Sequence, residues 1–98
     1  MHEIPPEVRM KAVSRVFNAL RHGGQLMVLD FQFPNTIEDL RNPAFDFAIH
    51  DQFFEICAGI VHPTSDERDE MLKGAGFGNL QKTAIGKGMF ELVVADKL

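Results

Sequence analysis

The sequence predicts an α/β fold that combines a three-stranded mixed sheet with three main helices. Two observations support this fold class. First, apolar stripes or capping residues mark three helical segments, and three shorter β-prone segments are bounded by glycines or polar turns. Second, the segments follow one another as helix, strand, helix, helix, strand, strand. No repeat or interdomain linker interrupts the 98 residues, so we expect one domain over residues 1–98.

The first helix is predicted over residues 5–21. Pro5-Pro6-Glu7 favours a helix start, because a proline in the first turn loses no hydrogen bond and an acid there interacts favourably with the helix dipole. Gly23-Gly24 is typical of a helix end. The apolar stripe that faces the core is formed by Val8, Ala12, Val13, Val16, Phe17 and Leu20.

The run Gln25–Phe31 predicts a strand. It is almost continuously apolar, which is typical of a strand covered on both faces in a layered α/β sheet. Asp30 stands near its end, where such sheets bind ligands. At this stage a ligand-side role and an ordinary cap or turn role for Asp30 are both open.

From Ala44 to about Val61 the sequence predicts a longer helix that is apolar on two sides. A helix of this kind is buried in the core, docks a partner or covers a ligand. Core packing and a lid over a partly apolar site are therefore both open. One stripe is formed by Phe45, Ile49, Phe53, Ile56 and Ile60, and the opposite one by Phe47, Phe54 and Val61.

The second half of the chain predicts a capped helix followed by a hairpin. Thr64 and Glu67 have the spacing of a capping box. The glycines of residues 74–78 follow a helix and precede a strand, so we interpret them as a helix cap and not as a nucleotide-binding loop. The runs 80–85 and 89–95 are joined by a short glycine-bearing turn, which predicts an antiparallel pair.

Composition excludes several classes of protein. Ten basic against fourteen acidic residues give a net charge of −4, which leaves no basic field for nucleic acid or an anionic membrane. Cys57, the single cysteine, cannot form an internal disulfide, and we expect it to be a small buried apolar residue in a cytoplasmic protein. No run is apolar over the length of a membrane span, and the first residues lack the pattern of a signal peptide.

The spacing of the histidines predicts no metal site. The four are His2, His22, His50 and His62, and they do not follow the close spacing of metal ligands. Glu55 could approach Asp51 on one helix face, but two carboxylates alone do not build a site.

Four segments, in this order, resemble the carboxyl-terminal half of class I S-adenosylmethionine-dependent methyltransferases. The first resembles the segment after their fourth strand, the second their fifth strand, the third the end of their last helix, and the fourth their terminal antiparallel strand. Together they cover nearly the whole chain. The segments are residues 1–9, 23–31, 73–77 and 88–97.

This resemblance implies a partial Rossmann-like methyltransferase unit that transfers a methyl group from S-adenosylmethionine to an unknown small-molecule acceptor. His2 and Glu3 would then lie near the methyl group and the substrate, and a histidine in the place of His2 assists proton removal in some members. The residues that would line the substrate pocket are His2, Glu3, Phe31, Phe33, Phe47, His50 and Phe54.

The chain also departs from the family pattern. The elements that hold the cofactor in the family, above all the glycine-rich loop after the first strand, have no counterpart in it. We therefore expect weak or no cofactor binding and no catalysis by this chain alone. We expect either a complementing amino-terminal half or a homodimer, formed through the edge of strand 26–31 or through the aromatic helix. The alternative function is a non-catalytic dimeric module whose Phe-rich helix holds an apolar ligand or a partner protein.

Overall fold

The computed structural model describes residues 1–98, apart from the side chains of Phe54 and Ala58. It contains three α-helices, three strands and three short 3₁₀ turns. In chain order these are α1 (Pro6–Ala19), β1 (Gln25–Phe31), two 3₁₀ turns (Glu38–Arg41 and Pro43–Phe45), α2 (Asp46–Glu55), a third 3₁₀ turn (Ile56–Ala58), α3 (Ser65–Ala75), β2 (Gly78–Ile85) and β3 (Phe90–Asp96).

The three strands form one sheet in the order β1-β3-β2. Val28 of β1 lies opposite Val93 of β3, and Thr83 of β2 lies opposite Leu92 of β3. The predicted α/β class, with one strand beside a carboxyl-terminal hairpin, is confirmed. One detail differs from the expected mixed sheet. Both pairs are antiparallel, because β3 lies between β1 and β2 and separates the two strands that run in the same direction.

Helices α1 and α3 cover one face of the sheet and enclose the core. Side chains at alternate positions of β3 point to this face and are buried, as the two-residue period of a strand requires. The buried apolar residues are Val13, Leu72, Phe77, Val93 and Ala95. The rings of Phe17 and Phe77 close one end of this core in an edge-to-face contact with centroids 5.0 Å apart.

Strand β1 is covered on one face only, so the prediction that both faces are covered is wrong. Leu26 and Val28 pack against the core, whereas Met27 and Leu29 on the other face are 64% and 60% exposed. Within the part of the chain that the structure describes, no strand pairs with the second edge of β1. An apolar groove of about 280 Å³ runs along this edge between α1 and β1.

Helix α2 is shorter than the predicted segment 44–61. It ends at Glu55 and passes through a 3₁₀ turn to Gly59, whose backbone is left-handed with φ of 75°. The chain then turns back, and the side-chain amide of Gln52 bridges the returning segment by donating to the Ile60 carbonyl at 2.8 Å and accepting from the His62 amide at 2.7 Å.

The early end of α2 changes which side chains of the predicted helix 44–61 are buried. Phe45 and Ala48 are buried, but Phe53 and Ile56 are 72% and 59% exposed. Cys57 is exposed, so the expectation that it is buried is wrong. No helix in the described part of the chain has both the length and the apolar character needed to cross a membrane.

Both ends of α3 have the caps that the sequence predicts. The Thr64 hydroxyl accepts from the Glu67 amide at 3.1 Å and the Glu67 carboxylate accepts from the Thr64 amide at 3.4 Å, which is the predicted capping box. At the other end Gly76 has φ of 115°, and its amide N–H donates to the carbonyls of the last helical turn. The glycine run therefore caps a helix, as predicted.

Gly76, the cap of α3, also lies close to Phe17 of α1. A Cβ at this position would lie 2.7 Å from Cζ of Phe17, so Gly76→Ala adds a steric clash to the cost of a left-handed backbone. We expect it to lower the free energy of unfolding by roughly 2–4 kcal/mol. Gly23→Ala is the matched control, since Gly23 has φ of 80° but no atom within 4 Å of its Cβ position, and it should cost only about 1 kcal/mol. Urea unfolding followed by circular dichroism measures both, and equal losses would contradict the packing of Phe17 on Gly76.

Candidate functional site

The site is built around the carboxylate of Asp30, which is buried near the end of β1. Its oxygens accept hydrogen bonds from the Phe31 amide at 2.8 Å and from the His2 amide at 2.9 Å. The His2 ring lies with Nδ1 2.6 Å from Oδ1, and the Met1 ammonium lies 3.1 Å from Oδ2. Asp30 therefore fastens the amino-terminal turn to the end of the sheet.

The partners of Asp30 determine its charge and the tautomer of His2. Burial by itself raises the pKa of Asp30, but the Met1 ammonium, the Phe31 and His2 amides and the His2 ring outweigh it and lower the pKa to about 2. At neutral pH the carboxylate is ionised and can only accept hydrogen bonds. The proton in the short contact therefore belongs to Nδ1 of His2, which leaves a lone pair on Nε2 of the neutral ring.

Arg9 of α1 holds the amino-terminal turn from the other side. Its Nε donates to the Ile4 carbonyl at 2.8 Å, and its Nη2 donates to the His2 carbonyl at 2.9 Å and to the Val61 carbonyl. Burial lowers the pKa of Arg9, although nearby carboxylates oppose the shift. Through these bonds a single guanidinium brings the amino-terminal turn and the segment after α2 together.

His62, which follows Val61, is buried beside His2. The two rings stack with centroids 4.4 Å apart, and on its other side His62 lies parallel to Phe33 at 5.5 Å. Its Nε2 lies 2.8 Å from the Asp51 carboxylate of α2. The site thus contains two histidines in contact, each paired with its own carboxylate.

An aromatic wall adjoins the histidines. The ring of Phe31 contacts His2 at 5.4 Å, Phe47 at 5.0 Å and Phe90 at 5.1 Å between centroids. Phe47 is 49% exposed and also lines an open cavity of about 520 Å³ between the start of α2 and the β2–β3 turn. An apolar surface next to a histidine with a free lone pair can hold a flat molecule with a polar group turned towards the ring nitrogen.

A buried ion pair supports Asp30 from the neighbouring strand. Glu91 of β3 lies directly opposite Asp30, and its carboxylate accepts from Arg68 and from Ser65, each at 2.7 Å. Arg68 and Ser65 thereby pair the buried carboxylate that lies next to Asp30. Nε and Nη1 of Arg68 are buried without a hydrogen-bond partner among the described residues.

The structure brings together four of the predicted pocket residues, namely His2, Phe31, Phe33 and Phe47. His50 is exposed, and it lines the cavity beside Phe47 without reaching the paired histidines. The prediction for Phe54 concerns a side chain outside the described part of the structure.

Sequence reasoning missed Arg9, Asp51 and His62. Their partners lie far away along the chain or depend on the turn after α2, so no local spacing indicated them. The usable signal in the sequence is the position of Asp30 near a strand end. That position is compatible with both a ligand-side role and a cap or turn role.

No protein-family model and no curated protein matches the chain. Solved structures do match it. PigF, solved with SAH, superposes with a TM-score of 0.80 and 21% identity over 99% of this chain. A protein from Nostoc punctiforme PCC 73102, provisionally described as an O-methyltransferase, superposes with a TM-score of 0.78 and 20% identity over 98% of this chain. Human N-acetylserotonin methyltransferase, solved with SAM, superposes with a TM-score of 0.64 and 19% identity over 90% of this chain.

The chain has a class I methyltransferase-like fold. It spans 31%, 29% and 24% of the length of these three solved chains. The resemblance noted in the sequence is therefore confirmed for the methyltransferase fold. In this fold the residues discussed above lie at one end of the sheet, beyond β1, where open α/β sheets bind their ligands.

The lowered pKa of Asp30 predicts a pH-dependent contribution to stability. The pKa falls from 3.8 in the unfolded chain to about 2 in the folded protein, so the contribution is fully present above about pH 4 and is lost as the pH falls towards 2. The shift corresponds to about 2 kcal/mol. In urea unfolding, the difference between the wild type and Asp30→Asn should shrink by about this amount between pH 5 and pH 2. A difference that does not change with pH would contradict the ionised, hydrogen-bonded carboxylate.

Proposed function

We propose that this protein takes part in methyl transfer from S-adenosylmethionine to a hydroxyl oxygen of a small molecule, and that this chain supplies the acceptor side of the active site. The observation that carries the proposal is the His2–Asp30 pair beside the aromatic wall, at the end of the sheet of a methyltransferase fold. The chemical identity of the acceptor beyond a hydroxyl on an apolar molecule is left open.

The reaction needs a group that removes the acceptor proton. S-adenosylmethionine, when bound, supplies the methyl group as a sulfonium. The methyl carbon would pass to the acceptor oxygen as the carbon–sulfur bond breaks, and the electron pair of that bond would stay on sulfur. The hydroxyl proton passes to Nε2 of His2, and the ionised Asp30 stabilises the imidazolium that results.

The aromatic wall would select a flat or apolar acceptor. Phe31 forms the floor next to His2, and Phe47 extends it into the open cavity at the start of α2. Because Phe47 is half exposed and lies on the helix that follows two 3₁₀ turns, α2 is suited to cover an acceptor as a lid. Phe33 adds to the site indirectly by stacking on His62.

The described side chains fit an acceptor better than an adenosyl group. The glycine-rich segment follows a helix and precedes a strand, whereas a nucleotide-binding loop follows a strand and precedes a helix. We propose that a further polypeptide portion, on the same or a separate chain, holds the cofactor and covers the open edge of β1 and its apolar groove. The 98 residues alone would then bind the cofactor weakly and catalyse no transfer. A second copy of the chain at this edge is the alternative occupant.

One observation favours a second candidate function. Phe53 of α2 and Ile56 of the 3₁₀ turn that follows it are 72% and 59% exposed. Such side chains are typical of an interaction surface. A non-catalytic dimeric module that holds an apolar ligand or partner through α2 would use them, whereas the methyl-transfer proposal does not need them. We place either function in the cytoplasm, where the exposed Cys57 stays reduced.

The methyl-transfer proposal is tested in a chimera in which this chain replaces the matching segment of PigF. We expect a chimera that binds SAH to methylate members of a panel of phenols. His2→Ala should lower kcat roughly 100- to 10,000-fold, because the proton acceptor is lost, with little change in the affinity for SAH. The exposed His22, which lies at the other end of β1, provides the control His22→Ala and should leave kcat unchanged.

Equal rates for the two variants of an active chimera would contradict the role of His2. A measurement on the 98-residue chain does not depend on the chimera. In an NMR titration, phenol should shift the amide signals around Phe31 and Phe47 and leave those around His22 in place. If phenol shifts none of the signals near Phe31 in the folded chain, the acceptor site is disproved.

A further inference from the structure

Metal-ligand side chains converge where the amino-terminal turn meets α2. One ligand atom from each of His2, Asp51 and His62 lies within 4.8 Å of the others. The same holds for a second set that shares His2 and adds Glu3 and Glu55. We propose that His2, His62 and Asp51 form a binding site for one divalent transition-metal ion of the Zn²⁺ type. The histidine spacing predicted no metal site, because the fold unites residues that are distant in sequence.

The ligand types select the kind of ion. Two imidazoles and one carboxylate suit Zn²⁺ or Co²⁺, which take nitrogen and oxygen ligands in tetrahedral sites, better than Mg²⁺ or Ca²⁺, which prefer oxygen alone. Ligand atoms about 2.0–2.1 Å from a tetrahedral ion lie ~3.3 Å from one another. The three ligand atoms lie within 4.8 Å of one another and must approach to this spacing, with a slight separation of His62 Nε2 from Asp51, now 2.8 Å apart.

Neighbouring residues already hold the ligands in place. Asp30 accepts from Nδ1 of His2 and leaves Nε2 as the ring nitrogen with a lone pair. A carboxylate behind a histidine is the usual outer partner of a metal-binding imidazole. His62 is fixed by its stacking on Phe33 and by the bond from its amide to Gln52. The two rings are stacked with their planes 23° apart, so binding one ion turns the rings away from this stacking while Asp30 and Gln52 hold the two residues in place.

Local charge also favours a cation. Asp51 and Glu55 are four residues apart on α2 and so lie on one face of the helix. Glu3 approaches the same place from the amino-terminal turn. Among the described residues, no lysine or arginine lies within ion-pair distance of these three carboxylates. The negative charge of these carboxylates attracts a cation to the two histidines.

This inference goes beyond the proposed function and does not rest on it. The two share Nε2 of His2, which cannot bind a metal ion and take a proton from an acceptor at the same time. Bound Zn²⁺ would therefore block methyl transfer. The ion is measured without cofactor or acceptor, so the failure of either proposal leaves the other standing.

The test is calorimetric titration of ZnCl₂ into the 98-residue chain, together with the visible spectrum of the chain with CoCl₂. We expect one ion per chain and the absorption of a tetrahedral Co²⁺ site. Asp51→Asn, which removes the charge of a partly exposed ligand and keeps its shape, should weaken binding at least 10-fold. Asp30→Asn should weaken it by about 10–100-fold, because the outer partner of His2 is lost.

Two controls exclude other ligands, since His22→Ala and Cys57→Ser should leave binding unchanged. Circular dichroism of each variant shows whether it is folded, and His2→Ala offers a second ligand variant in case Asp51→Asn unfolds. The inference is overturned if the folded chain gives no heat of binding and no cobalt spectrum. It is equally overturned if binding survives in Asp51→Asn and His2→Ala but is lost in either control.

Discussion

The site depends on one buried carboxylate. Burying a charged group is costly unless it is well paired, and Asp30 meets this condition with two amide donors, the ring of His2 and the Met1 ammonium. In return it holds the amino-terminal turn against the sheet and fixes which nitrogen of His2 carries the proton. Arg9 extends the same constraint to the segment after α2, because it binds the carbonyls of both His2 and Val61.

Asp30 and Arg9 thus hold the polar side chains of the site in fixed positions, although the fold has a small apolar core. The core encloses only the helix-facing side of the sheet, while the polar pairs Asp30–His2, Asp51–His62 and Arg68–Glu91 lie at or near the end of the strands. The same geometry prepares Nε2 of His2 either to accept a proton or to bind a metal ion. Because a proton and a metal ion would compete for Nε2 of His2, metal ions would inhibit the proposed reaction.

Local signals in the sequence predicted much of the fold. Helix α1, the Thr64–Glu67 capping box, the Gly76 cap and the β2–β3 hairpin all depend on neighbouring residues, and each is present. It was harder to predict from the sequence which faces of β1 and α2 are covered by other parts of the chain. The exposure of Met27 and Leu29 depends on what lies beside β1, and the early end of α2 depends on Gln52 binding the returning chain. The pairing of His62 with Asp51 follows from that turn, so residue spacing alone gave no indication of half of the site.

The central claim is that Asp30 holds His2 with its proton on Nδ1 and a lone pair on Nε2. Long-range ¹H–¹⁵N NMR of the imidazole rings, at neutral pH in metal-free buffer, measures this directly. This arrangement predicts that His2 is in this tautomer, that Asp30→Asn abolishes the preference, and that the exposed His22, with only a long 3.4 Å contact to the Leu98 carbonyl, shows averaged signals in both proteins. A proton on Nε2 of His2, or averaged signals like those of His22, would contradict it.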